Sequence, residues 1–183
     1  MATYKTEQKN GRYFCITAED KEIGVLVYKQ PFNTSNVGAD YAPLIDLPNK
    51  TTYYFERNLL GWSPLKRREE TVLEYKFQNG GKTAFRVIEE GIEREFTLYM
   101  AEGYATISFH LSDEKEQHLL EINAVPCWWT ETAGKNYTYT ISSSKVFEEL
   151  PFSTTLVLTV THFINLRMFW SYNYHLNRDN PVQ

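Results

Sequence analysis

Residues 154–172 of the chain, TTLVLTVTHFINLRMFWSY, read as a helix apolar on every side. Wound at about 100° per residue, Leu156, Val157, Leu158, Val160, Phe163, Ile164, Leu166, Met168, Phe169 and Trp170 spread around the circumference instead of forming one stripe. Such a helix has to be hidden from water all the way round. Most of what precedes it looks like β-strand, so the economical solution is a sheet wrapped around it. The rival is a membrane span, since these nineteen residues would rise about 28 Å, close to the thickness of a bilayer core. His162, Asn165 and Arg167 lie in the middle of the stretch, and a strongly polar group at the bilayer centre costs about 2.5–3.5 kcal/mol. The sequence therefore predicts a buried helix and no transmembrane segment.

Upstream, apolar and polar residues alternate in Arg12–Thr17, Glu22–Lys29 and Thr52–Glu56. Denser strand patterns follow at Thr71–Phe77, Lys82–Ile88, Ile92–Met100, Tyr104–Leu111 and Gln117–Ile122, and two more at Pro126–Glu131 and Asn136–Ser142. Their connectors, Asn79-Gly80-Gly81, Glu89-Glu90-Gly91 and Glu102-Gly103, suit hairpins because glycine takes positive φ freely. A meander of about twelve strands seldom stays open; closure removes its edges and leaves an interior to be filled. The expected fold is mainly β, a closed antiparallel barrel around a C-terminal helix near 154–172. Ser143–Phe152 links the two, with serines able to cap a short helical turn before Pro151. The tail from Asn173 is polar and is expected to fray.

The 183 residues suffice for one well-buried core, and 1–183 reads as a single domain. With 19 basic against 23 acidic residues there is no global attraction to nucleic acid. Cys15 and Cys127 stand far apart, which suggests two buried thiols rather than a disulfide framework or a zinc site. The opening MATYKTEQKNGRY lacks the apolar run of a signal peptide, so the expected location is cytoplasmic.

Candidate functional residues are few. Lys66-Arg67-Arg68 follows Trp62-Ser63-Pro64, a context in which three cations can meet a phosphate while the tryptophan lies at a membrane interface; a solvated hairpin tip explains the same residues. Cys127-Trp128-Trp129 puts two rings on opposite faces of a strand, one for the core and one for a loop or a partner. His162, Asn165 and Thr161 make a weak polar stripe on the helix that needs hydrogen-bond partners. His110 and His118 lack metal-site spacing and are expected to be exposed. Glu93 and Glu95, with Glu74 as a neighbour, are the nearest approach to an acid–base pair. No GxSxG, Walker, GxGxxG or HExxH motif occurs, so the chain is expected to be no enzyme and to use neither cofactor nor metal.

A strand meander ending in an all-round apolar helix resembles the tubby C-terminal-like superfamily, which includes the LURP-one-related and phospholipid scramblase proteins. The resemblance rests on Ile23-Gly24-Val25-Leu26-Val27-Tyr28, Leu60-Gly61-Trp62 and Leu156–Trp170. It implies a barrel with the helix threaded along its axis and a non-catalytic binding or interaction module. The anticipated partner is an anionic phospholipid surface, met through Lys66, Arg67, Arg68 and Trp62, or another protein. The alternative is an intracellular carrier of a small apolar ligand in a lipocalin-like barrel, which requires the helix to pack outside.

Overall fold

A computed structural model describes the backbone of residues 2–9, 13–28, 43–56, 58, 61–89, 92–101, 107–127 and 136–179, with side chains except at 8–9, 88–89, 92, 126–127, 136 and 169–179. The strands are β1 (Thr3–Lys9), β2 (Tyr13–Ala18), β3 (Lys21–Val27), β4 (Leu44–Asp46), β5 (Thr52–Phe55), β6 (Ser63–Arg67), β7 (Glu70–Phe77), β8 (Thr83–Glu89), β9 (Ile92–Ala101), β10 (Ile107–Asp113), β11 (His118–Cys127) and β12 (Asn136–Ser143). Helices α1 (Lys145–Glu148) and α2 (Ser153–Asp179) follow. Each strand pairs antiparallel with its sequence neighbours, and β1 seals onto β12 through Thr3↔Ser142, Tyr4↔Ile141 and Lys5↔Thr140. The result is a closed up-and-down barrel. Its lower end holds the β2–β3, β4–β5, β6–β7, β8–β9 and β10–β11 turns and the entry of α2; the other connections leave from its upper end.

The helix runs up the interior. Ten consecutive residues, Leu156 to Asn165, are each exposed by 4% or less, and ten residues make nearly three turns, so every side of this stretch is covered. The Phe163 ring centroid lies 4.7 Å from that of Tyr75, 5.4 Å from Phe85 and 5.5 Å from Phe77, which ties the helix to β7 and β8. On another side, a Cβ added to Gly24 of β3 would stand 2.7 Å from Leu158 Cδ1. Only glycine lets the wall come that close. Among the described residues no helix is long and apolar enough to cross a membrane.

Polar side chains on the buried helix are satisfied locally. Thr159 and Thr161 donate to the carbonyls of Thr155 (2.7 Å) and Val157 (2.8 Å), one turn back. At the lower end α1 plugs the barrel with Phe147, fully buried, and Leu150; Ser144 accepts the Phe147 N–H as its cap. The Glu148 carboxylate then accepts from Ser143 Oγ (2.7 Å) and from the Ala2 amide, fastening the plug to the β1–β12 seam.

Three strands go beyond the sequence reading. β1 has alternating burial, but its second inward residue is Thr6, whose hydroxyl accepts the Tyr139 N–H (2.7 Å); a polar inward residue hides the strand period. β4 has only three residues, and β6 opens with Ser63-Pro64, a strand start that reads as a turn. β11 runs unbroken through Pro126, where the sequence suggests two strands, and Trp128 to Glu131 lie outside the described residues. The helix also continues to Asp179, past the expected end at 172.

Two substitutions test this packing. Val160→Asp places an unpaired charge in the sheathed part of the helix, at several kcal/mol against a total stability of about 5–15, and is expected to abolish the cooperative thermal transition in circular dichroism. Gly24→Ala is expected to lower the unfolding free energy by about 1–3 kcal/mol, measured by urea titration, with Leu158→Val in the same chain recovering part of the loss.

Candidate functional site

The structure separates the four residues singled out for headgroup binding. Trp62 precedes the upper end of β6, whereas Arg67 closes its lower end, about 16 Å away by strand rise. Lys66 Nζ lies 2.6 Å from Glu56, and Arg67 pairs with Glu70 across the β6–β7 turn. Arg68 occupies the turn in the left-handed region (φ 57°), its carbonyl accepting the Tyr54 hydroxyl. Trp62 carries the Arg86 guanidinium 4.5 Å above its ring. Two of the three cations are thus engaged with carboxylates, and the tryptophan serves a different cation.

The carboxylates are likewise taken up. Arg86 Nη2 meets Glu74 at 2.6 Å and Nη1 meets Glu93 at 3.1 Å, so these two acids share one guanidinium instead of flanking a substrate. His110 and His118 are neighbours on the outer wall, ring centroids 5.2 Å apart, with Tyr99 stacked on His110 at 5.6 Å. His118 is exposed and His110 half-buried. Among the described residues no group of three or more His, Cys, Asp or Glu side chains is placed to hold a metal ion. Cys15 is buried; the Cys127 side chain, Trp128 and Trp129 lie outside the described residues.

Near the top of the core the helix presents its polar stripe. Asn165 Nδ2 donates to Tyr28 Oη (3.1 Å), and His162 Nδ1 lies within hydrogen-bond distance of the same oxygen at 3.2 Å. All three residues are buried, and the Phe55 ring packs 4.7 Å from the imidazole. With no counter-charge beside it, burial pushes the His162 imidazole down to about 3 and raises the Tyr28 phenol, so both are neutral near pH 7. The cluster fixes the rotation of the helix against β3. It is closed to solvent.

Above the cluster the described inward positions change character. Phe77, Met100 and Ile107 sit at inward-facing positions beyond the filled core, two residues from Tyr75, Leu98 and Phe109 respectively; Phe77 is 60% and Met100 51% exposed. Tyr13, Leu44 and Val125 add exposed apolar surface on the outer side of the same rim. Between Phe77 and Leu98, and in register with both, Thr83 is fully buried, and its Oγ1 has no hydrogen-bond partner. Arg167, one helical turn above Phe163, lays its guanidinium against Gly81: a Cβ there would stand 2.5 Å from Nη1. Gly80 and Gly81 both have positive φ (69° and 72°), so the β7–β8 turn needs glycine for its backbone as well as for this contact.

Sequence reasoning treated Arg167 only as an argument against a membrane span and passed over Thr83 and the rim. Their signal was topological: apolar residues at the strand ends that face the helix exit. No family model, curated protein or solved structure matches this chain.

The buried imidazole gives a pH prediction. His162 has a folded pKa of about 3 against about 6.5 unfolded, so the unfolded chain binds the extra proton and stability falls as pH drops through that window. The expected contribution to the slope approaches about 1.4 kcal/mol per pH unit below pH 6 and vanishes in His162→Gln, read from denaturant midpoints between pH 7 and 4.

Proposed function

We propose that this chain is a non-catalytic binding module, kin in architecture to the tubby-like barrels, that docks its upper rim on an anionic phospholipid surface. The observation that carries this is the concentration of exposed large apolar side chains at one end. Tyr13, Leu44, Phe77, Met100, Ile107 and Val125 all lie at that rim, against Val146 at the lower end among the described residues. Exposed apolar side chains gathered at one end favour an interface there, and aromatic and aliphatic side chains on a rim suit the headgroup boundary.

Charge orients the molecule in the same sense. Acid doublets mark the lower end at Glu19-Asp20, Glu69-Glu70, Asp113-Glu114 and Glu148-Glu149, interspersed with Lys21, Lys50, Arg67, Arg68, Lys115 and Lys145, whereas described charges near the upper rim include Lys76, Lys82 and Arg167 beside Glu7 and Glu56. An anionic membrane repels the first end and attracts the second over about a Debye length, about 10 Å at 0.1 M salt. Docking through Lys66-Arg67-Arg68 would bring the acidic end down instead. The carrier reading requires the helix to pack outside the barrel, and the helix lies within it.

Vesicle co-sedimentation tests this. The chain is expected to bind phosphatidylcholine vesicles only when phosphatidylserine is added, and less so at high salt. Phe77→Ser with Met100→Ser is expected to weaken binding by at least about tenfold, given that each side chain transfers about 1.5–3 kcal/mol of apolar surface, while Arg68→Ala changes little. No binding at low salt, or loss with Arg68→Ala but not with the rim pair, overturns the proposal.

A further inference from the structure

An irregularity in the sheet brings two imidazoles together on the outer wall. β10 and β11 pair regularly from Ile107↔Ala124 to Leu111↔Leu120, but the next pair is Ser112↔His118, so Leu119 is an extra residue in β11. An unbroken ladder would set His118 opposite Asp113, three positions along β10 from His110. The bulge moves it to two, the diagonal spacing at which long side chains meet across strands. The two ring centroids stand 5.2 Å apart, with their planes inclined at 65°. Tyr99, directly opposite His110 on β9, orients both rings: it stacks on His110, and its Oη lies 3.5 Å from His118 Nδ1. That contact occupies the Nδ1 edge of His118 and leaves Nε2 for a ligand.

We infer that His110 and His118 form a surface site for one zinc ion, with water in the remaining coordination positions. The separation of the rings carries the inference. A zinc–nitrogen bond is about 2.0–2.1 Å and an imidazole nitrogen lies about 1.1 Å from its ring centre, so two imidazoles on one tetrahedral ion have centroids about 5.2 Å apart, against about 4.5 Å for a right-angled pair. Imidazole suits zinc, whereas magnesium and calcium take oxygen ligands. The surrounding charge favours a cation: Glu121 faces His110 across the ladder, and Asp113, Glu114 and Glu116 lie in the turn before His118, with Lys115 among them. Among the described residues no third His, Cys, Asp or Glu completes the set, so the ion stays open to solvent and exchangeable. Eight residues separate the two histidines along the chain, and only the cross-strand pairing joins them. The site lies on the wall and is independent of docking through the rim.

Calorimetric titration of the full chain with zinc chloride tests the site. One ion per chain is expected to bind, at least about tenfold more weakly in His110→Gln or His118→Gln. Tyr99→Phe keeps the stacked ring and removes Oη, and is expected to weaken zinc binding by up to about tenfold, an effect that a tyrosine serving only as packing does not have. Both histidines lie on the outer wall, so the variants are expected to melt close to the wild type without metal. Proton NMR of the wild type gives a reading that needs no variant: zinc is expected to shift the ring C–H signals of His110 and His118 and to leave those of His162, sealed in the core, in place. Undiminished zinc affinity in a folded chain carrying both glutamines, or no saturable binding by the wild type, overturns the site. So does displacement of zinc by a tenfold excess of magnesium, which would put the ion on the carboxylates of the turn.

Discussion

A helix with no polar face imposes one demand on everything around it: solvent has to be excluded through a full turn of the compass. An open sheet covers one side of a helix. Closure is what covers the rest, and the short register between β1 and β12 supplies it. The wall and the helix are therefore one cooperative unit, since neither has another partner for its apolar surface. The same demand explains the treatment of polar atoms on the helix, where Thr159 and Thr161 bond back to their own turn and His162 and Asn165 meet on a single phenol.

Much of this architecture can be read from residue pattern because burial on all sides and burial on one side leave different periods. The apolar helix and the alternating strands β2, β3, β5, β7, β8, β9, β10 and β12 declare themselves that way. β1 does not, because Thr6 takes an inward place and is reconciled to it by the Tyr139 amide 133 residues away. Such a long-range hydrogen bond has no local signature. β4 is too short to show a period, and Pro64 disguises the start of β6.

The candidate site was less legible for a different reason. Runs of like charge catch the eye in a sequence, and Lys66-Arg67-Arg68 did so, yet a hairpin puts Glu70 opposite Arg67 and a cross-strand reach puts Glu56 beside Lys66. Charge that looks free along the chain is neutralised across it. The upper rim has the opposite property: Phe77, Met100 and Ile107 are unremarkable one by one, and only the antiparallel order of β7 to β10 gathers them at the level where the helix core ends.

That level is where the constraints of the core change sign. Below it every inward position has to be apolar or internally satisfied, because neither water nor a ligand reaches it. Tyr28, at 2% exposed, and Asn165, at 4%, mark the last layer under that rule. Arg167, one turn on from Phe163, is a half-buried cation, whereas Thr83 is the exception within the sealed interior: it keeps an unpaired hydroxyl in full burial, where a valine would fill similar space without the penalty.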